Sequence, residues 1–231
     1  MPKKLIVLSL GGSLIIPDEV DYKYIEKFRS VLRSLYKTHK FVVVCGGGAT
    51  ARKYIAPLKK EGKSSREQAA AGISATRMNA RFMMQFFGKK EANDTLPLSM
   101  KTVKNNLRNN NVVFCGALRF APKETTDGSG AKLANFLKTD FINLTNVPGL
   151  YTSNPKTNKD AKFIPKISWK DFDKMANKIK FEAGQHFVLD QAAATLIHKK
   201  RVSTYIISGQ DLKQLKNILQ NKKFKGTLIR D

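Results

Sequence analysis

The chain has 231 residues, of which 42% are hydrophobic and 9% aromatic, and its 42 Lys and Arg residues against 18 Asp and Glu give a formal net charge of +24. This composition excludes a disordered tail, a collagen-like fibre and a small disulfide-stabilised domain. A chain of this length can bury a large core, and we expect one α/β domain with halves at about 1–115 and 116–231. No apolar run reaches ~18 residues, so no membrane span is predicted.

Apolar runs rich in β-branched residues alternate along the chain with longer segments of helical periodicity. Strands are predicted, in chain order, at 5–10, 41–45, 112–115, 141–145, 203–208 and 226–229. Helices are predicted near 21–37, from about Ala49, and across 65–87, 127–138, 168–179, 190–200 and 212–219. Strands that are apolar throughout and are followed by helices indicate a mainly parallel sheet covered on both faces.

The excess of positive charge fits either a nucleic-acid partner or small anionic substrates, because Lys and Arg neutralise phosphates. Short basic groups occur far apart in the sequence, at 59–60, 89–90, 199–201 and 222–223. None of them has the length of a basic arm. The charge therefore leaves a nucleic-acid partner open without favouring it.

The first residues imitate a signal peptide, with a basic start and an apolar stretch. Gly11, Gly12 and Ser13 interrupt that stretch and no small-residue cleavage site follows, so we predict a first strand instead. Cys45 and Cys115 each end an apolar run just before glycine. Two cysteines make no disulfide framework, and we expect buried thiols in a reducing, cytoplasmic setting.

Two glycine-rich turns follow the first two predicted strands, Gly11-Gly12-Ser13 and Gly46-Gly47-Gly48. Ligands of parallel sheets bind beyond the carboxyl ends of the strands. Glycine lets backbone N–H groups approach a ligand closely, and a helix that starts there directs its positive end to phosphate oxygens. Arg52 lies one helical turn beyond the second turn, where a guanidinium can add a forked charge.

The sequence lacks the motifs of other common nucleotide, metal and nucleophile sites. Neither G-x-x-x-x-G-K-[ST] nor G-x-G-x-x-G occurs, which argues against P-loop and Rossmann dinucleotide sites. The three histidines are isolated and no Cys/His metal spacing is present, so no metal-ligating residues are predicted. No nucleophile has an obvious base.

Asp127 and Asp190 each stand where a helix is predicted to begin. Each can be a helix cap or a carboxylate that organises charged ligands. Phosphoryl transfer needs mainly positioning and charge neutralisation, with Mg²⁺ bridging phosphates. Backbone amides, one Arg and one carboxylate are therefore chemically sufficient for it.

At these residues the sequence resembles the amino-acid-kinase superfamily and, within it, the archaeal type of uridylate (UMP) kinase. The matching segments, in order, are LSLGGSLIIPDEVDYKYI, CGGGATARKYI, GISATRMNA, TTDGSGAKLANFLKTDFINLTNVPGLYTSNPK, AGQHFVLDQAAATLI and the ending GTLI. The resemblance implies a three-layer αβα sandwich that assembles as a hexamer of dimers. It also implies a cytoplasmic enzyme of pyrimidine biosynthesis that transfers the γ-phosphoryl group of ATP to UMP with Mg²⁺.

The resemblance implies roles for individual residues. ATP phosphates would contact Gly12, Ser13, Gly48 and Arg52, and the nucleoside part of ATP would contact Thr145, Asn146, Tyr151 and Asn154. UMP would be held by Gly47 and by the 118–126 loop, which ends in Thr125 and Thr126. Asp127 would be the organising catalytic carboxylate, acting with Arg52.

Several positions depart from the family's pattern. Ser9 stands where many members carry Lys, and Ala69 where the family has the Asp for the UMP ribose. Pro148 and Asn154 replace two Asp residues, and Thr195 replaces a Lys. The loop GALRFAPKETTD is two residues longer than usual and lacks its second glycine. Two alternatives therefore stay open: a relative with another small phosphate or carboxylate acceptor, and a non-catalytic nucleotide or RNA binder.

The predicted helix 65–87 carries a cluster of large apolar residues on more than one of its faces. They are Phe82, Met83, Met84, Phe86 and Phe87. We expect some of them in the core and the others in a subunit contact.

Overall fold

A computed structural model describes residues 2–119, 126–153, 155, 157–178 and 189–231. The strands are β1 (Lys4–Leu10), β2 (His39–Cys45), β3 (Val112–Cys115), β4 (Asp140–Thr145), β5 (Leu150–Tyr151), β6 (Phe163–Ile164), β7 (Lys166–Ile167), β8 (Thr204–Ser208) and β9 (Thr227–Ile229). The helices are α1 (Gly12–Ile15), α2 (Tyr22–Arg33), α3 (Gly48–Lys60), α4 (Ser65–Phe87), α5 (Met100–Asn106), α6 (Thr126–Leu137), α7 (Trp169–Lys178), α8 (Gln191–Lys200) and α9 (Leu212–Leu219).

The main sheet has the strand order β3-β2-β1-β4-β8-β9-β7. Strands β3, β2, β1, β4 and β8 run parallel, whereas β9 is antiparallel to β8. Strands β5 and β6 form a separate antiparallel pair. Because parallel neighbours need long crossovers, the helices between them cover the sheet, and the predicted mainly parallel sheet is confirmed.

Alternation along the strands divides the core into two layers, one on each face of the sheet. On β1, Ile6, Leu8 and Leu10 pack on one face and Val7 packs on the other. The first layer is completed by α2, α4 and α9, through residues such as Phe28, Met83 and Leu215. The second is completed by α5, α6, α7 and α8, through residues such as Val103, Leu133, Phe172 and Ile197. The three-layer αβα architecture is therefore confirmed.

The predicted elements agree with the structure best where sequence signals are local. Helix α4 starts with a capping box in which the Ser64 hydroxyl accepts from the Glu67 N–H and the Glu67 carboxylate accepts from the Ser64 N–H. The helix predicted to reach residue 37 ends at Arg33, and turns follow it to Thr38. Helices α1 and α5 and strands β5, β6 and β7 were not predicted, because each is too short to show a period.

The large apolar residues of α4 are mostly core residues. Met83, Met84 and Phe87 are buried, and Phe82 and Phe86 are partly buried against the same layer. The two cysteines are buried and free, as predicted. No helix in the described ranges is both long enough and apolar enough to cross a membrane.

Candidate active site

The two glycine-rich turns touch each other at the carboxyl edge of the sheet, where the neighbouring parallel strands β1 and β2 end. A Cβ atom on Gly12 would lie 2.0 Å from the Gly48 nitrogen, and one on Gly46 would lie 2.4 Å from the Gly12 nitrogen. Contacts this short exclude any side chain, so only glycine lets the two turns meet. The predicted placement of both turns at one edge is confirmed.

Two helices begin at these turns, α1 at Gly12 and α3 at Gly48. The first N–H groups of a helix have no acceptor within it and carry the positive end of its dipole. Ser13 is the second residue of α1, and Gly47 is the N-cap residue of α3. The paired turns can therefore bind phosphate oxygens through backbone amides.

Asp127 lies next to the end of β1, at the second position of α6. The Ser9 hydroxyl donates a 2.7 Å hydrogen bond to Asp127 Oδ1. Burial raises the pKa of Asp127 to about 7; the Ser9 hydrogen bond opposes this rise and the Asp190 carboxylate adds to it. Ser9, which stands where many family members have Lys, thus contacts the proposed catalytic carboxylate directly.

Two further polar residues near this edge, Asn143 and Asp190, are buried. Asn143 is buried on β4 directly beside Ser9 in the strand register. Asp190 is buried as the N-cap of α8, where Oδ1 accepts a 2.7 Å hydrogen bond from the Ala193 N–H. Buried polar groups of this kind hold fixed positions because they are hydrogen-bonded. Asp190 is therefore a helix cap, and its charge also raises the pKa of Asp127.

Polar side chains of α4 hold the ends of β2 and β3. Asn79 Nδ2 donates a 2.7 Å hydrogen bond to the Gly46 carbonyl, and the Thr76 hydroxyl accepts one of 3.0 Å from the Ala117 N–H. The Arg77 guanidinium donates to the carbonyls of Ala117 and Leu118, each at 3.1 Å. Sequence reasoning missed these residues, although Thr76 and Asn79, three apart within a helix, were a signal for a buried polar stripe.

We predict that Asn79→Ala lowers both stability and activity. Its buried amide is bonded to the turn at Gly46, and loss of such a bond costs about 1–3 kcal/mol. Asn93→Ala is the matched control, because the Asn93 amide is also buried and bonds the Phe114 backbone, away from the turns. The free energy of unfolding, measured with denaturant, should fall in both variants. ATP turnover per folded molecule should fall in Asn79→Ala alone. Equal turnover in both would contradict a role for Asn79 in positioning the turn.

Arg52 is exposed on α3, and its guanidinium lies 3.5 Å from the Pro17 carbonyl, in the segment that follows α1. The side chain is therefore open to solvent, beside the segment that follows α1. Thr145 and Asn146 lie at the carboxyl end of β4, where the Thr145 carbonyl accepts a 2.7 Å hydrogen bond from the Gly209 N–H. Tyr151 lies on β5, with its ring 5.4 Å from that of Phe163 in an edge-to-face contact.

Some of the predicted site lies outside the described residues. These are Asn154, Thr125 and the acceptor loop from 120 to 125. Thr126 is described and is the first residue of α6, beside Asp127. The described residues bring the glycine turns, Ser9 and Asp127 together at one edge.

The metal ligands available at this edge fit a metal ion that binds together with a phosphorylated ligand. Among the residues that the structure describes, no group of three or more His, Cys, Asp and Glu could enclose a metal ion. Mg²⁺ is commonly held by one or two carboxylates together with phosphate oxygens. Asp127, at the edge of the glycine turns, is a carboxylate that suits this mode.

The chain belongs to the amino acid kinase family, whose family model matches residues 4–208. Its relatives include the uridylate kinase of Pyrococcus abyssi, 31% identical over 97% of this chain and 98% of that protein. The uridylate kinase of Thermoplasma volcanium is 33% identical over 94% of this chain and 93% of that protein.

Solved structures agree with this assignment. The crystal structure of uridylate kinase from Archaeoglobus fulgidus superposes with a TM-score of 0.83 at 31% identity, covering 97% of this chain and 99% of that one. UMP kinase from Ureaplasma parvum, at 19% identity and a TM-score of 0.81, shares the fold over the full length of both chains.

Proposed function

We infer that the chain is an ATP-dependent kinase that transfers the γ-phosphoryl group of ATP to UMP. The observation that carries this inference is the contact between the two glycine turns at the carboxyl edge of β1 and β2, beside the Ser9–Asp127 pair. Two helix starts at one place can hold two phosphate chains end to end. Uridylate kinases that match nearly the whole chain support UMP as the acceptor.

The chemistry requires little from the protein beyond position and charge. A phosphate oxygen of UMP attacks the γ-phosphorus of ATP, the bond to the β–γ bridging oxygen breaks, and ADP leaves with that electron pair. The phosphate monoester is mostly dianionic at pH 7, since its second pKa is about 6, so no base is needed. Mg²⁺, held by Asp127 and the phosphates, would neutralise charge on the nucleotide.

Each site residue has a proposed role, which the resemblance to the family supports. The N–H groups of Gly12, Ser13 and Gly48 and the charge of Arg52 bind ATP phosphates. The nucleoside part of ATP would be held by Thr145 and Asn146 at the end of β4, by Tyr151 on β5, and by Asn154. Gly47 and the loop that ends at Thr125 and Thr126 bind UMP. Asp127 organises the transferring group.

The departures from the family's pattern concern the acceptor more than the phosphates. Ala69 is half-buried on α4 and offers no acceptor oxygen to a ribose. The Thr195 hydroxyl donates to Asp173 Oδ1 at 2.9 Å, which ties α8 to α7. Ser9 supplies a hydrogen bond to Asp127 in place of a charge. We therefore expect the chain to phosphorylate UMP but to bind its ribose more weakly. The KM for UMP should be higher than in family members that carry the Asp at the position of Ala69.

A coupled assay of ADP release tests the acceptor. The panel contains UMP, CMP, AMP and GMP, and small acids such as acetyl phosphate and glutamate. We expect the highest kcat/KM with UMP. Turnover of ATP with another acceptor of the panel but not with UMP would contradict this function.

Replacing Arg52 by Ala should raise the KM for ATP about 10-fold or more, because a charge-assisted phosphate contact contributes about 1.5–3 kcal/mol. Stability should change little, since Arg52 is exposed and its contact with Pro17 is long. Lys53→Ala is the matched control, because Lys53 is the next residue and pairs with Asp18. Steady-state kinetics measure both, and an unchanged KM for ATP in Arg52→Ala would exclude the contact.

The proposed enzyme is a cytoplasmic member of pyrimidine biosynthesis that assembles as a hexamer of dimers. The hairpin of α3 and α4 supports assembly, because none of its residues between Ala49 and Ala75 is buried within the chain. Tyr54 and Met78, on these two helices, are 63% and 50% exposed. Light scattering after gel filtration tests this, and a monomer at all concentrations would contradict it.

A further inference from the structure

The amino edge of the main sheet, opposite the glycine turns, collects basic residues from distant parts of the sequence. The five parallel strands begin at this edge, and each has a basic residue at its start or within the four residues before it. Strand β9 runs the other way and ends there at Ile229, which Arg230 follows. We call the following residues the cationic edge: Lys3, Lys37, Lys40, Lys90, Arg108, Lys138, Lys199, Lys200, Arg201 and Arg230.

Hydrogen bonds join some of these residues to the segments that enter the neighbouring strands. Lys3 Nζ donates to Asn111 Oδ1 at 3.0 Å, and Lys40 Nζ donates to the Arg108 carbonyl at 3.1 Å. The Arg230 N–H donates to the Ile167 carbonyl. These contacts connect the starts of β1, β2 and β3 on one side and fix Arg230 on the other. Because β3, β2, β1, β4, β8 and β9 lie side by side in the sheet, the cations next to their ends at this edge follow one another in a row across it.

Acidic residues do not neutralise this row. At the same edge Asp140 is paired with Lys4 at 3.1 Å, and Glu91 is paired with Arg33. Asp231 Oδ1 accepts from the Trp169 N–H. Within the described ranges, no residue of the cationic edge forms an ion pair with a carboxylate. The row is thus a concentration of uncompensated positive charge.

Two of the cations lie at backbone positions that disfavour them. Lys138 and Arg201, which follow α6 and α8, have φ values of 56° and 51°. Glycine is usual after a helix in this conformation, and another residue there costs about 1 kcal/mol. Helix dipoles favour cations near helix ends, but Lys3, Lys40 and Arg230 lie in or beside strands. The helix dipole alone therefore does not account for the row.

We propose that the cationic edge binds the phosphate backbone of a nucleic-acid duplex. The row crosses from β3 to β9, about 24 Å at ~4.8 Å per strand, which matches about seven base-pair steps of ~3.4 Å. Single strands bind through exposed aromatic rings on which bases stack. Among the described residues the exposed rings are Tyr22 and Tyr54, near the carboxyl edge, and Phe136, beneath the Lys104 ammonium. Phosphate contacts without stacking favour a duplex.

Fluorescence anisotropy with labelled 24-base-pair DNA and RNA duplexes of mixed sequence tests the proposal between 50 and 200 mM KCl. Binding should be independent of sequence, and log K should fall against log salt with a slope of about −4 or steeper, as expected for four or more phosphate contacts. Comparing the affinities for the two duplexes shows whether DNA or RNA is the preferred ligand. Anionic vesicles and an unstructured single strand of equal length serve as competitors.

The double variant Lys138→Gly with Arg201→Gly separates binding from folding. Glycine relieves the positive-φ strain, so the variant should be at least as stable as the parent, and its salt slope should become shallower by about 2. The matched control is Lys63→Ala with Arg66→Ala, which removes one Lys and one Arg at the tip of the α3–α4 hairpin. A third variant, Arg230→Ala, should reduce the slope by about 1.

Kinase turnover with ATP and UMP, measured in parallel, should be unchanged in all of these variants. Failure of the proposed kinase function would therefore be visible separately from failure of duplex binding. No duplex binding at 50 mM KCl would overturn the proposal. So would tighter binding to vesicles or single strands than to duplexes, or an equal loss of slope in the control variant.

Discussion

Replacing Asp127 by Asn is expected to lower turnover about 100-fold while raising the stability of the free protein above pH 7. The loss of turnover follows because a preorganised charge at the transferring group contributes about that much to kcat. The KM for ATP should change less, since the carboxylate acts mainly on the transition state. Steady-state kinetics over a range of ATP concentrations would measure the two effects separately.

The gain in stability follows from the sign of the pKa shift. Burial raises the pKa of Asp127 from 3.8 to about 7, so the folded protein holds this proton more tightly than the unfolded chain. The contribution of Asp127 to the stability of the parent therefore falls as the pH rises from about 4 to 7, by up to about 4 kcal/mol. Asn carries no charge, so Asp127→Asn avoids this loss.

Asp21→Asn is the control, because Asp21 is also an acid at the start of a helix and accepts from the Tyr24 N–H. It should cost at most about 1 kcal/mol and leave turnover unchanged. Urea unfolding at pH 5 and pH 8 measures both variants. If Asp127→Asn instead kept full turnover, Asp127 would not organise the transferring group.

Replacing Gly48 by Ala is expected to lower kcat/KM for ATP at least 100-fold. Its Cβ atom would lie 2.4 Å from the Gly12 carbonyl oxygen and 2.9 Å from that of Ile16, so the two turns must separate. A displacement of about 1 Å in a phosphate-binding loop is enough for this effect. Stability should fall as well, because the shift disturbs the packing of α3 on α1.

Gly62→Ala provides a matched control for backbone strain. Gly62 has φ of +68° and Gly48 has φ of +61°, but nothing lies within 4 Å of a Cβ atom on Gly62. Both substitutions cost about 1 kcal/mol of strain, and only that at Gly48 brings the clash. Kinetics and urea unfolding of the two variants together isolate the contact between the turns. Equal kinetics in both would show that the turns can separate without loss of function.

The sequence predicted the elements whose signals are local. Helix α4 has a capping box at Ser64 and strand β3 is a short apolar run, and both were predicted with their observed bounds. The glycine turns were predicted to lie at one edge of the sheet because they follow apolar strands of a parallel sheet. That reasoning needs only the order of strands and helices along the chain.

Contacts between distant residues were not predictable in the same way. The Ser9–Asp127 hydrogen bond joins residues 118 positions apart, and the Asn79 bond to Gly46 joins residues 33 apart. A polar residue in a strand or helix shows no partner in the sequence. Its partner depends on which elements the fold packs together.

The basic residues show the same division on the scale of the whole molecule. From the sequence, the groups at 89–90 and 199–201 are short and far apart, and they favour no partner. In the fold, α4 and α8 both end at the amino edge of the sheet, so Lys90 and Arg201 belong to one row with Arg230. The sequence by itself therefore determined the class of fold and the kind of phosphate chemistry, because strand and helix periodicity and glycine conformations are local properties. Only the tertiary structure decided which charges share a surface, because parallel pairing brings together residues that the chain keeps far apart.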